Sequence, residues 1–253
     1  MADSNSAQLT RLPASLEDVK ITSLPSSTYY IANFISEDEE RALLQKIANA
    51  PKPKWRQLTK RRLQTWPSDL SKDTLLESPL PVWLTMPIID RILSCPLSQT
   101  NADCNVFTES PHKAPNHVLI NEYLPGQGIS PHKDGAAYYP VVCTVSLGSS
   151  LCLGLYGSND DGTIEGEPRW RILQEPRSLL ITTGDLYTNY LHGIEEITED
   201  VNLNSDSIAN WHLLSSPEKF VRGQSSRQTR TSLTYRDVLK VSKLGSKLAL
   251  FKR

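Results

Sequence analysis

Seven residues near the C-terminal end, Arg230-Thr231-Ser232-Leu233-Thr234-Tyr235-Arg236, follow a two-residue alternation suited to an extended strand. Successive side chains of a strand point to opposite faces, so Arg230, Ser232, Thr234 and Arg236 would share one face and Thr231, Leu233 and Tyr235 the other. The planar fork of arginine meets a carboxylate through two parallel hydrogen bonds, which a lysine cannot do. The polar face is therefore suited to a dicarboxylic ligand. By the same period Asn121 and Tyr123 would share a face of a neighbouring strand and donate further hydrogen bonds across the pocket.

His132-Lys133-Asp134 extends the pattern to a metal. Placed two apart on a strand, His132 and Asp134 offer an imidazole and a carboxylate to one point. A third ligand from a separate strand would complete a two-His-one-carboxylate triad, which leaves one side of the metal open, as in non-haem Fe(II) oxygenases. His192 is the candidate, because it ends a strand-like Leu186–Leu191, whereas His212 sits among polar loop residues. Each residue has a plainer reading: His192 as a hydrogen-bonded core histidine, Arg230 and Arg236 as surface ion pairs of little worth. The same triad also binds zinc, as in a hydrolase, but that chemistry gives the arginine run no task.

The elements around these motifs come from turn signals and periodicity. Thr28 to Ile35 reads as a strand, and Ser36 with Glu39 forms a capping box for a helix whose apolar side is Leu43, Leu44 and Ile47. Pro51 ends that helix, and Pro81 to Leu93 predicts a second one broken near Pro87. From His117 onward strands dominate: 117–124, 141–149, 151–156, 170–174, 178–183, 186–192 and 229–238. A helical N-terminal part before many short strands predicts an α+β fold, with N-terminal helices packed on one sheet of a double-sheet jelly roll.

A length of 253 residues suits one such unit. The division expected is a mobile N-terminal tail over 1–24, a single domain over 25–240 with its β core at 117–238, and a basic C-terminal tail over 241–253. The four cysteines show no Cys-x-x-Cys spacing and read as reduced thiols. No apolar run approaches membrane-spanning length, so no membrane partner is expected. The net charge of -1 conceals asymmetry: Lys46 to Arg62 holds seven basic residues and no acidic ones. Such a stretch suggests a face for a polyanion, although a solvated basic face is the commoner outcome.

Asn-x-Tyr, His-x-Asp, a later His and Arg-x-Ser-x-Thr-x-Arg, in that order, resemble the AlkB-type Fe(II)/2-oxoglutarate-dependent dioxygenases. The branch called AlkB homologue six is the most similar, through Ala50-Pro51-Lys52-Pro53-Lys54-Trp55, Asn121-Glu122-Tyr123-Leu124-Pro125-Gly126, Tyr138-Tyr139-Pro140 and Leu191-His192-Gly193-Ile194. The resemblance implies a double-stranded β-helix in which His132, Asp134 and His192 take Fe(II), and Asn121 and Tyr123 touch 2-oxoglutarate. Arg230 would pair with the distal carboxylate, with Ser232, Thr234 and Arg236 lining the same pocket and Arg236 nearer the metal. It implies oxygen as the oxidant and hydroxylation of a substrate C–H bond, with demethylation of an alkylated nucleobase in DNA or RNA the leading expectation. A dioxygenase of proteins or small molecules, or a catalytically weak nucleic-acid-binding module, is the alternative. A lid over a flipped base would fall within 45–70, where Arg61 and Arg62 could meet phosphates and Trp66, Tyr138 or Tyr139 could stack a single-stranded or flipped base. The stretch 199–228 is an insertion relative to compact members, and residence in cytoplasm and nucleus is expected.

Overall fold

The computed structural model describes residues 12–25, 27–159 and 161–243. The N-terminal half holds β1 (Thr28–Ile31), α1 (Glu37–Ala48), β2 (Arg56–Leu58), β3 (Arg61–Trp66), β4 (Thr74–Leu76), α2 (Val82–Thr85) and α3 (Ile88–Ser94). Then follow β5 (His117–Tyr123), β6 (Ile129–His132), β7 (Val141–Leu147), β8 (Leu151–Tyr156), β9 (Trp170–Gln174), β10 (Leu179–Thr183), α4 (Gly184–Thr188) and β11 (Leu191–Ile194). The chain closes with β12 (Glu199–Val201), β13 (Gln224–Ser226), β14 (Arg230–Arg236) and β15 (Lys240–Ser242).

Two antiparallel sheets carry the architecture, a large one in the order β1-β10-β7-β14-β5-β3-β2 and a smaller one in the order β6-β11-β8-β9. Alternation along the large sheet separates two cores. Ile120, Val145, Ile181, Leu233 and Tyr235 face the helices and pack with Leu43, Ile47, Leu84 and Ile88. Tyr30, Tyr123 and Leu180 point the other way, onto Leu153, Leu155 and Leu173 of the small sheet. This is the α+β jelly roll that the pattern predicts.

The helical layer forms for local reasons. Ser36 Oγ accepts the Glu39 N–H at 3.2 Å while the Ser36 N–H donates to Glu39 Oε2 at 2.8 Å, so both ends of the capping box are made. Glu39 also accepts both terminal nitrogens of Arg91, at 2.7 and 2.8 Å, which ties α1 to α3. Pro87 stands between α2 and α3, where the sequence places a break.

Three expectations are corrected. Residues 12–24 are not a free tail, because Leu16 and Ile21 are fully buried and Leu24 nearly so, Leu16 in the helix-side core and the others between the sheets. Residues 1–11 and 244–253 lie outside the described residues, and of the expected C-terminal tail the first residues belong to β15, paired in parallel with β4. The strand expected over 186–192 is a helical turn, α4, followed by β11: Gly184 takes φ +55 and swings the chain off β10 before it joins the small sheet. The stretch where a lid is expected holds a hairpin, β2–β3, hydrogen-bonded onto β5 as the edge of the large sheet. The 199–228 stretch is built around β12–β13, and the buried Arg227 guanidinium grips Asp200 through bonds of 2.7 and 2.8 Å.

Candidate active site

His132 ends β6, and β6 closes on β11 in a register that puts His132 opposite His192. A side chain at Gly128 would collide with the Ile194 carbonyl, so glycine there is what lets the two strands approach. The two imidazole centroids are 4.4 Å apart. Asp134 reaches them differently from the way its spacing implies. The strand stops at His132, so the His-x-Asp pair does not share a pleated face. The Asp134 carboxylate is held instead by Arg236, whose guanidinium lies 2.8 Å from Oδ1, both side chains being less than a tenth exposed. Loop and ion pair together bring one ligand atom each from His132, Asp134 and His192 within 4.8 Å of one another.

The protonation states suit a metal. The His132 Nδ1–H donates to the Ser130 carbonyl at 2.9 Å, which leaves Nε2 with its lone pair free. Burial pulls the His192 pKa down to about 4, against the opposing charge of Asp134 and with help from His132 and Arg236, so the ring is neutral at pH 7. Beside the cluster lies a cavity lined by Asp134 and His192 with Val142, Leu153, Leu155 and Leu186. Tyr187, on α4, closes one side and donates its hydroxyl to the Gly135 carbonyl at 2.8 Å, steadying the loop that carries Asp134.

At the other end of β14, Arg230 is 3% exposed and hydrogen-bonds only neutral groups, Ser146 Oγ at 2.8 Å and Gln174 Oε1 at 2.9 Å. Its Nε has no partner among the described residues. Among the described residues no carboxylate lies within ion-pairing distance of this guanidinium. Burial lowers its pKa to about 10, with Arg227 adding to that and Tyr123 opposing it. A buried cation without an anion is costly, so the arrangement fits a carboxylate brought in by a ligand. Register aligns Arg230 with Tyr123 and Ser232 with both Asn121 and Ser146, so the polar residues of three strands share the face turned toward the small sheet. Thr234 continues that row toward Arg236, opposite Thr144.

The expected substrate residues are scattered. Arg61 lies on the pocket side, and its Nε donates to Asn121 Oδ1 at 3.0 Å. Arg62, next along the strand, faces the other way, clasping Glu122 at 2.6 and 2.9 Å and stacking over Trp55. The expected paired phosphate contact is therefore divided by the strand's pleat. Trp66 is also corrected as a base-stacking residue: it packs edge-on against Trp83, receives Lys54 over its ring and donates to Gln64. Tyr139 packs on the helix-side core, whereas Tyr138 sits at the metal end, 4.8 Å above the Arg236 guanidinium. Much of the basic stretch is paired as well, Lys60 with Glu196, Arg56 with Asp69 and Arg62 with Glu122. The sequence reading missed Ser146, Gln174 and Tyr187. Ser146 carries a signal, since Thr144 and Ser146 alternate with Cys143 and Val145; Tyr187 was hidden in a stretch read as strand.

The sequence profile described as the 2OG-Fe(II) oxygenase superfamily matches residues 27–236. A zebrafish (Danio rerio) protein named "Probable RNA/DNA demethylase ALKBH6" is 38% identical over 241 residues, covering 93% of this chain and 95% of its own. The chain belongs to the AlkB branch of the 2OG-Fe(II) oxygenases. It is a dioxygenase that uses Fe(II), 2-oxoglutarate and oxygen. A mimivirus protein, "Uncharacterized protein L905" of Acanthamoeba polyphaga mimivirus, is 27% identical over 219 residues, 83% of this chain and 84% of that one. The solved structure titled "The structure of OsALKBH1" superposes with a TM-score of 0.52 at 16% identity, over 85% of this chain and 99% of that one, and shares the fold. Among the described residues no helix is long and apolar enough to cross a membrane.

Proposed function

We propose that this dioxygenase removes alkyl groups from nucleobases of RNA or DNA. In this reading His132, Asp134 and His192 hold the Fe(II), and Arg230, Asn121 and Tyr123 hold 2-oxoglutarate. Ser232 and Thr234 line the pocket between them. The observation that carries the site assignment is the Arg230 guanidinium, buried and without an anion among the described residues, on the strand whose other end braces Asp134. The nucleic-acid reading is supported by the name of the zebrafish relative.

When bound, the iron and 2-oxoglutarate supply, with oxygen, an oxidant for a substrate C–H bond, and succinate and CO2 leave. The chain's residues prepare this. The Ser130 carbonyl fixes the His132 tautomer, and Arg236 aims the Asp134 carboxylate. Leu153, Leu155 and Leu186 form an apolar wall that limits water at the reacting centre. Hydroxylation of a methyl group on a base nitrogen gives a product that releases formaldehyde. Arg236, engaged with Asp134, serves the metal ligand more directly than the cosubstrate, and Tyr138 above it is the aromatic best placed at the mouth.

The test is formaldehyde and succinate release from N-methylated single-stranded DNA and RNA oligonucleotides, beside methylated peptides. Matched formaldehyde and succinate with an oligonucleotide is the expected result. Stimulation by the peptides alone would overturn the nucleic-acid reading and leave the dioxygenase intact.

A further inference from the structure

The β2–β3 hairpin does more than complete the sheet edge. Arg61 is the first residue of β3, and it extends to the pocket face of β5, where its Nε–H donates to Asn121 Oδ1 at 3.0 Å. Arginine carries donors and no acceptor, so the atom of the Asn121 amide that meets it is the oxygen. The choice between the two amide orientations, left open for a lone asparagine, is thereby made by the neighbour. With its oxygen engaged by Arg61, Asn121 is left with its NH2 group to offer. Asn121 is 7% exposed and sits opposite Ser232.

We propose that Arg61 is a positioning residue for cosubstrate binding: it locks the Asn121 amide with its NH2 group as the donor toward 2-oxoglutarate. The proposal rests on the reading of Asn121 and Arg230 as cosubstrate residues. Three further observations agree with it. No carboxylate ion-pairs with Arg61 among the described residues, so the guanidinium is not diverted to a surface partner as Arg62 is to Glu122. Burial raises the Tyr123 hydroxyl pKa, and the charge of Arg61, after that of Arg230, opposes the rise, in keeping with its place beside the second cosubstrate residue of β5. The hairpin tip is fastened too, since Lys60 pairs with Glu196 just beyond β11. Arg61 therefore has a fixed base from which to hold the amide.

The chemistry is specific in sign. Without Arg61 the Asn121 amide is free to rotate and present its oxygen to a carboxylate, so affinity for 2-oxoglutarate falls while the reacting centre is untouched. Asn121→Asp keeps the acceptor for Arg61 and loses the donor, and should weaken binding at least as much as Arg61→Ala.

The experiment is calorimetric titration of 2-oxoglutarate into the full chain loaded with Mn(II), which binds the cosubstrate without turnover, followed by steady-state kinetics with Fe(II). Arg61→Ala should raise the Kd about tenfold, the worth of one orienting donor in a buried site, with KM for 2-oxoglutarate rising in parallel and kcat nearly unchanged. Asn121→Ala should raise it similarly, and Arg61→Ala/Asn121→Ala no more than Asn121→Ala alone, because the two act through one bond. A wild-type Kd in Arg61→Ala, a double variant whose losses multiply, or a fall in kcat at unchanged KM would overturn the proposal. Arg230→Ala separates the two layers of inference: a wild-type Kd there would remove the cosubstrate reading, and this proposal with it. A weakened Arg230→Ala beside an unaffected Arg61→Ala would remove the proposal alone.

Discussion

Arg230 and Arg236 lie six positions apart on one face of β14, at 3% and 7% exposure, yet among the described residues only one of them has an anion. Arg236 is paired with Asp134, and the pair fixes a metal ligand. Arg230 holds a serine and a glutamine, both neutral, while the Nε of each arginine lacks a partner among the described residues. The difference teaches that a buried cation satisfied within the chain is part of the framework, whereas one left unsatisfied marks where a ligand's charge belongs. The first makes the site and the second is filled by what binds there.

The sharpest way to break the comparison is at Asp134. Asp134→Asn removes a metal ligand and the anion of Arg236 at once, and Fe(II)-dependent succinate production should fall roughly 10³-fold or more, since even outer partners of metal ligands are worth 10–100-fold. Wild-type succinate formation in that variant would end the metal assignment. Next come the two arginines themselves. Arg236→Met strands a buried carboxylate and should cost about 3 kcal/mol in urea denaturation of the metal-free protein, whereas Arg230→Met should cost little or add stability. Arg230→Met should instead raise KM for 2-oxoglutarate by about 100-fold. The reverse ranking of the two stabilities would show that the buried charges had been assigned the wrong way round.

A smaller effect sharpens the same point. Free 2-oxoglutarate at 100 times its Kd should stabilise the metal-loaded protein by about 2.7 kcal/mol, read as a rise in Tm, and the rise should vanish in Arg230→Met. A last effect lies in alkaline pH. Burial holds the Arg230 pKa at about 10, below its ordinary 12.5, so the unfolded chain binds this proton more firmly than the native one. The cost of the buried charge is therefore complete below about pH 10 and is relieved as pH rises from there toward 12.5. Wild-type stability measured against Arg230→Met should gain across that window, and a flat difference would contradict the account.

Much of the site could be read before any coordinates. Arg230, Ser232, Thr234 and Arg236 share a face because a strand has no other choice at period two, and β5 supplies Asn121 and Tyr123 by the same rule. Asp134 shows the limit of that reasoning. It joins His132 and His192 although β6 has already ended, because Arg236 pulls its carboxylate in from a strand about a hundred residues away. Trp66, Arg62 and Arg61 show another limit, since adjacency in sequence suggested a joint task and the pleat sent neighbours to opposite faces. Residues 12–24 mark a third: a stretch expected to belong to a mobile tail buries Leu16, Ile21 and Leu24, because its apolar side chains are captured by cores made elsewhere.

Local geometry is written in the residues: the capped first helix, the alternating strands, the order of the ligands and the chemistry of each donor. These follow from backbone periodicity and side-chain type, which act over a few residues. Which charges meet is set by the fold: Asp134 answers Arg236, Arg61 holds Asn121, and Arg230 is left without an anion among the described residues. Those outcomes depend on register and burial between segments far apart in the chain, where desolvation makes each pairing, or its absence, count.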